Sequence, residues 1–190
     1  MKEISGAGNS ICVEIESHPA MAENARPGSV WNWECFDKNG KLKWRESIHN
    51  LVTEEGRDHY LDVALSSGTQ ITAWYIELFE SDHTPAAGNT YATPGYTPSD
   101  AYDEETRPAW TEAGVSSQSI TNSASKASFT MDATKTIYGG SLVGGGSAAT
   151  TKKDAAGGGT MLCLSAFSAG QPVNDDDVIK ITITATMAAA

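Results

Sequence analysis

The stretch Val30-Trp-Asn-Trp-Glu-Cys-Phe-Asp-Lys-Asn-Gly-Lys-Leu-Lys-Trp-Arg-Glu-Ser-Ile-His-Asn-Leu-Val-Thr-Glu-Glu-Gly-Arg-Asp-His-Tyr-Leu-Asp-Val-Ala-Leu65 decides the fold, because its hydrophobic period changes twice. In residues 30–36, Trp31, Trp33 and Cys35 alternate with Val30, Asn32, Glu34 and Phe36, a pattern that predicts a half-buried strand. In Asp37-Lys-Asn-Gly40, Asn39 and Gly40 tolerate the positive φ of a tight reversal. Residues 41–46 then return with Leu42 and Trp44 on one face, completing a hairpin. Spacing next turns helical. Thr53 is placed to cap, Glu54 and Glu55 suit the positive helix start, and Tyr60, Leu61, Ala64 and Leu65 form an apolar stripe ending at Ser66-Ser-Gly68.

Outward from this stretch, the chain is strand-like on the C-terminal side. Ile71-Thr-Ala-Trp-Tyr-Ile-Glu-Leu-Phe79 is the most hydrophobic segment and is expected at the centre of a sheet. Residues 81–103 carry Pro85, Gly88, Pro94, Gly95 and Pro98, too many breakers for regular structure, and are expected as a long surface excursion. Shorter strands are expected at 106–112, 115–122, 126–131 and 134–143. The closing strands are expected at 160–167 and 177–185, joined by a turn through Gly170 and Pro172. Glycine clusters at 144–146 and 157–159 mark a flexible loop by composition.

Eight or nine strands, one short helix and no βαβ rhythm predict a mainly β chain, an antiparallel β-sandwich with jelly-roll-like topology. Residues 29–190 are expected to form this single domain. Residues 1–28, poor in large apolar side chains, are expected to be an N-terminal arm. Within the arm, Ile11, Val13 and Ile15 alternate with Cys12, Glu14 and Glu16. That pattern fits either an edge strand of the same domain or a strand added to a neighbouring subunit.

The motif Asn50-Leu-Val-Thr-Glu-Glu-Gly56, running into Leu61-Asp62 after the Gly-Lys-Leu-Lys-Trp hairpin, resembles an Asn-Leu-Val-Thr-x-x-Gly signature of tailed-bacteriophage virion structural proteins. Trp74-Tyr75, Thr106-Arg-Pro-Ala-Trp110 and Thr121-Asn-Ser-Ala-Ser-Lys-Ala127 continue the resemblance in order toward the C-terminus. It implies a capsid cement or decoration protein on the outer surface of the virion, assembled in the host cytoplasm. The implied partners are the major capsid protein and other copies of the chain in a homo-oligomer. It implies no catalytic residue and no cofactor.

Composition fits one domain of usual size with a modest core. The chain has 190 residues, a formal net charge of −11 and 39% hydrophobic residues. All of the charge imbalance lies in the first part: residues 1–113 hold 8 Lys and Arg against 19 Asp and Glu, residues 114–190 hold 5 against 5. A nucleic-acid partner needs the opposite sign. No apolar run reaches about 18 residues, the length a membrane span needs. The three cysteines, Cys12, Cys35 and Cys163, have no Cys-x-x-Cys spacing and imply neither a disulfide framework nor a metal knuckle.

The titratable residues form no recognisable catalytic or metal pattern. The four histidines lack the i, i+4 spacing of a zinc pair, Asp175-Asp-Asp177 lacks the spaced acids of a calcium loop, and no serine sits in a Gly-x-Ser-x-Gly elbow. Glu54, Glu55, Glu104 and Glu105 have ordinary electrostatic roles at a helix start and in a loop. Among the tryptophans, Trp31 and Trp110, beside proline-containing segments, are expected to be the more exposed. With Ile11, Val13 and Ile15 they are the candidate interface residues. Two alternatives stay open: a tail or head-fibre component, and a carbohydrate-binding module stacking sugars on Trp31 or Trp110.

Overall fold

The alternation at Trp31, Trp33 and Cys35 becomes one wall of the interior in the computed structural model, which describes residues 26–146, 152 and 158–188. All three side chains are fully buried on β1 (Arg26–Phe36), which turns at Asp37 into β2 (Leu42–His49). Gly40 takes φ 78° in that turn, and Asp37 Oδ1 accepts from the backbone N–H of Asn39 and Lys41, both at 2.9 Å. On its other side β1 pairs along its whole length with β9 (Val178–Ala188), setting Trp31, Trp33 and Cys35 opposite Ile183, Ile181 and Ile179. Each fully buried isoleucine contributes roughly 1.5–3 kcal/mol. Pairing starts at Arg26, so the last three residues of the expected arm belong to the sheet. Ile11, Val13 and Ile15 lie outside the described residues.

The far side of β9 is shared end to end by β5 (Ser119–Thr121) and β6 (Ala127–Thr130). Asn122 bridges the gap between them with its side chain. Its Oδ1 accepts from Ile183 N at 2.7 Å and its Nδ2 donates to Ile181 O at 3.1 Å, so a fully buried amide continues the ladder where the backbone leaves it.

The second sheet has the order β3 (Leu51–Val52), β8 (Thr160–Val173), β7 (Lys135–Gly144), β4 (Trp74–Phe79). All pairs in both sheets are antiparallel, and the two sheets face each other as a β-sandwich with one helix, α1 (Glu54–Leu65), among the described residues. The first strands nest on the last in both sheets, β1 on β9 and β3 on β8, as in a jelly roll, whereas the β7–β8 hairpin pairs neighbours directly. Gly140 in β7 makes the close contact between sheets possible: a Cβ there would lie 2.9 Å from the Trp33 ring and 2.7 Å from Glu77 O. Trp31 and Trp33 stack over it with centroids 5.7 Å apart.

Several expected elements differ from the structure. β4 lies at a sheet edge, not the centre. Its continuous burial from Ile76 to Phe79 comes from the 81–110 excursion, which supplies the missing neighbour: Ile76 N donates to Pro108 O, Ser99 N to Leu78 O and Trp110 N to Trp74 O. The same excursion reaches the opposite sheet, where Asp103 N donates to Thr130 O and Asp132 N to Ala101 O. It also lays Tyr91 and Tyr96 over the outer face of the second sheet, against Phe79, Val143, Met161 and Leu164. The expected surface loop is therefore a third layer.

The expected strand at 106–112 is reduced to a single bridge, Tyr75 to Ala109, and the one at 115–122 to β5. No turn forms at Gly170 and Pro172, which remain within β8; the chain reverses at 174–177 instead. There the buried Asp177 accepts from Asn174 N at 2.6 Å and pairs with Lys43.

Candidate functional site

The Asn-Leu-Val-Thr-x-x-Gly segment turns out to be a device for seating the helix on the sandwich. Asn50 Oδ1 accepts from Ser29 N at 2.6 Å, and Leu51 and Val52 pair with Leu164 and Cys163. Thr53 Oγ1 accepts from Gly56 N at 2.9 Å as the helix cap while donating to Met161 O at 2.5 Å. Gly56 is buried directly over the Leu162 backbone, where any Cβ would collide. Glu55 Oε2 accepts from Tyr91 N at 2.9 Å and from Met161 N at 2.7 Å, tying excursion, helix and β8 together. The Glu104 carboxylate likewise accepts from Thr130 N. Both acids thus hold backbone in place.

A buried polar cluster is also structural in position. Arg107 and Glu77, 0% and 2% exposed at their side chains, form an ion pair between the outer face of the second sheet and the excursion. Tyr96 Oη donates to Glu77 Oε1 at 2.7 Å and lies 2.8 Å from Ser141 Oγ, while Arg107 Nη1 donates to Tyr91 Oη at 3.1 Å. Burial pushes the Glu77 carboxyl upward, opposed by Arg107, Tyr96 and Ser141. Arg107 lies within the Thr-Arg-Pro-Ala-Trp motif, and its buried role has no signature in a single sequence, where an isolated arginine reads as surface.

A cavity of about 340 Å³ lies between the sheets, under α1. That volume is within the range of small-ligand or side-chain sites. Its walls are mainly apolar: Trp74, Trp110, Ile71, Tyr60, Val63 and Ile183. His59 stands edge-on to Trp74 with centroids 5.6 Å apart, and Trp110 Nε1 has no hydrogen-bond partner. Burial raises Tyr60 to about 12 and the Cys163 thiol, also in the wall, to about 11, so both stay protonated and uncharged at neutral pH. Among the described residues, no group of three His, Cys, Asp or Glu is placed to hold a metal ion.

The candidate tryptophans are not where exposure was expected. Trp31 is 0% exposed because it points inward with Trp33, and its Nε1 donates to Ser29 Oγ at 2.9 Å. Trp110 is 7% exposed because the excursion presses it beside β4. Neither presents a flat face to solvent, although Trp110 does reach the cavity wall. Leu61 and Leu65, expected in the buried stripe of α1, are instead 58% and 81% exposed; Tyr60, Val63 and Ala64 face the cavity. No helix among the described residues is long and apolar enough to cross a membrane. Compared with protein-family models, curated proteins and solved structures, the chain gives no match to any of them.

Proposed function

We propose that this chain is a non-enzymatic virion structural protein, a cement or decoration protein that binds the outer surface of a capsid shell built by the major capsid protein and stabilises it. One observation carries the reading: among the described residues Leu61 and Leu65, one turn apart on the solvent face of α1, form an exposed apolar pair, 58% and 81% exposed. Adjacent exposed leucines on an otherwise acidic helix favour a place where another protein sits. The resemblance of the Asn50-to-Gly56 motif to phage virion proteins supplies the identity of that partner. A sugar-binding module is the weaker reading, since its stacking platforms at Trp31 and Trp110 are buried.

Co-sedimentation tests the proposal. The purified chain, mixed with shells assembled from the major capsid protein alone, is expected to pellet with them in a saturable way and to raise the temperature at which they come apart. A chain that stays in the supernatant over shells competent to bind other virion proteins overturns it.

A further inference from the structure

The walls of the cavity run from solvent to the centre of the sandwich. Ala64, Gln70 and Glu112 are exposed residues of its lining, whereas Trp110, Leu142 and Ile183, also in the lining, are 7%, 1% and 0% exposed. A cavity of about 150 Å³ with apolar walls stays dry and takes up a benzene ring. At about 340 Å³ this one has room for a ring and a short side group. Tyr60, Trp74 and Trp110 give it aromatic walls, against which a ring packs by face or edge.

The charge of the walls narrows the class of guest. No Lys or Arg is found among the described lining residues, and the one carboxylate there, Glu112, is exposed. His59 stands edge-on to Trp74, and burial keeps Tyr60 and Cys163 protonated at neutral pH. An anion would have to pass Glu112 and would then find no counter-charge at Leu142 and Ile183. An ion of either sign would give up its hydration to apolar walls that return little of it. A neutral molecule meets neither cost.

One polar group in the wall is left unanswered. The indole of Trp110 keeps its Nε1–H buried and without an acceptor. A buried donor without a partner costs free energy that a guest with a carbonyl oxygen would recover.

We propose that the cavity is a binding site for a small neutral molecule made of one ring and a carbonyl-type acceptor, with the ring against Trp74 and Tyr60 and the oxygen at Trp110 Nε1. The site is separate from the exposed Leu61 and Leu65 face of α1, so it stands or falls independently of the capsid reading.

Three probes of nearly the same shape test it on the full chain: acetophenone, α-methylstyrene, in which a methylene replaces the carbonyl oxygen, and the benzoate anion. In calorimetry, acetophenone is expected to saturate one site per chain with a Kd at or below about 1 mM, and benzoate to bind at least about tenfold more weakly. In heteronuclear NMR of the wild-type chain, acetophenone is expected to move the Trp110 indole N–H resonance downfield, and α-methylstyrene is expected not to. Trp110→Phe is expected to lower the ratio of acetophenone to α-methylstyrene affinity at least about fivefold, a comparison in which any change of cavity size affects both probes alike. No saturable binding of acetophenone, binding that leaves the Trp110 N–H resonance in place, benzoate bound as tightly, or an unchanged ratio in Trp110→Phe overturns the proposal.

Discussion

The excursion side of the sandwich and its cavity end solve the same problem in opposite ways. Along β4, a free edge and an apolar outer face are covered from within, by thirty-odd residues of the same chain pinned through Arg107, Glu77, Tyr96 and Glu55. At the other place the sheets part under α1, a cavity stays open, and leucine, valine and methionine side chains face water. The difference teaches where folding free energy was spent. One region is closed by intramolecular polar contacts; the other keeps a cavity and apolar side chains exposed to water.

The sharpest way to break the comparison is at the buried ion pair. Arg107→Ala leaves the Glu77 carboxylate buried without its counter-charge and is expected to cost about 3–5 kcal/mol in urea unfolding, whereas Arg107→Met combined with Glu77→Leu recovers most of that loss. Both variants leave the cavity end untouched. Gly56→Ala drives a methyl into the Leu162 backbone and is expected to cost about 1–3 kcal/mol, while loosening the helix that roofs the cavity, so it alone weakens both regions. Thr53→Ala removes the helix cap and the bond to Met161 O, with an expected cost of about 1 kcal/mol in the same assay.

A smaller effect appears in alkali. Burial lifts the Cys35 thiol from the ordinary 9.0 to about 12. Above pH 9 the unfolded chain therefore releases a proton that the folded chain keeps, so this stabilising contribution is present at neutral pH and is lost as pH rises toward 12. Cys35→Ala is expected to flatten that decline in a thermal-unfolding series across pH. The smallest effect sharpens the contrast: Leu65→Ser is expected to change stability by no more than about 0.5 kcal/mol, because Leu65 is exposed, even as it damages binding.

Much of the fold was legible because period and burial coincide where one face is wet. Trp31, Trp33 and Cys35 alternate, as do Ile179, Ile181 and Ile183, and the first sheet was readable from them. Thr53 and Gly40 announced their cap and turn by local chemistry that needs no tertiary context. The second sheet was harder, since the excursion buries its outer face and Ile76-Glu-Leu-Phe79 then reads as a central strand when it is an edge. The buried side chains of Arg107 and Asn122 were illegible for a different reason: each takes its role from partners distant in sequence, Glu77 in one case and β9 in the other. At the candidate site, Trp110 was singled out for an exposure that it lacks. Leu61 and Leu65 were placed inside because spacing fixes a helical face without fixing how wide the buried part of that face is.

A cryo-electron microscopy map of shells assembled from the major capsid protein and saturated with this chain tests the central claim most directly. The account predicts density in which the chain lies on the outer surface of the shell with the Leu61 and Leu65 face of α1 against it. A map in which the chain rests on the shell through the excursion or through β2, with Leu61 and Leu65 open to solvent, contradicts it.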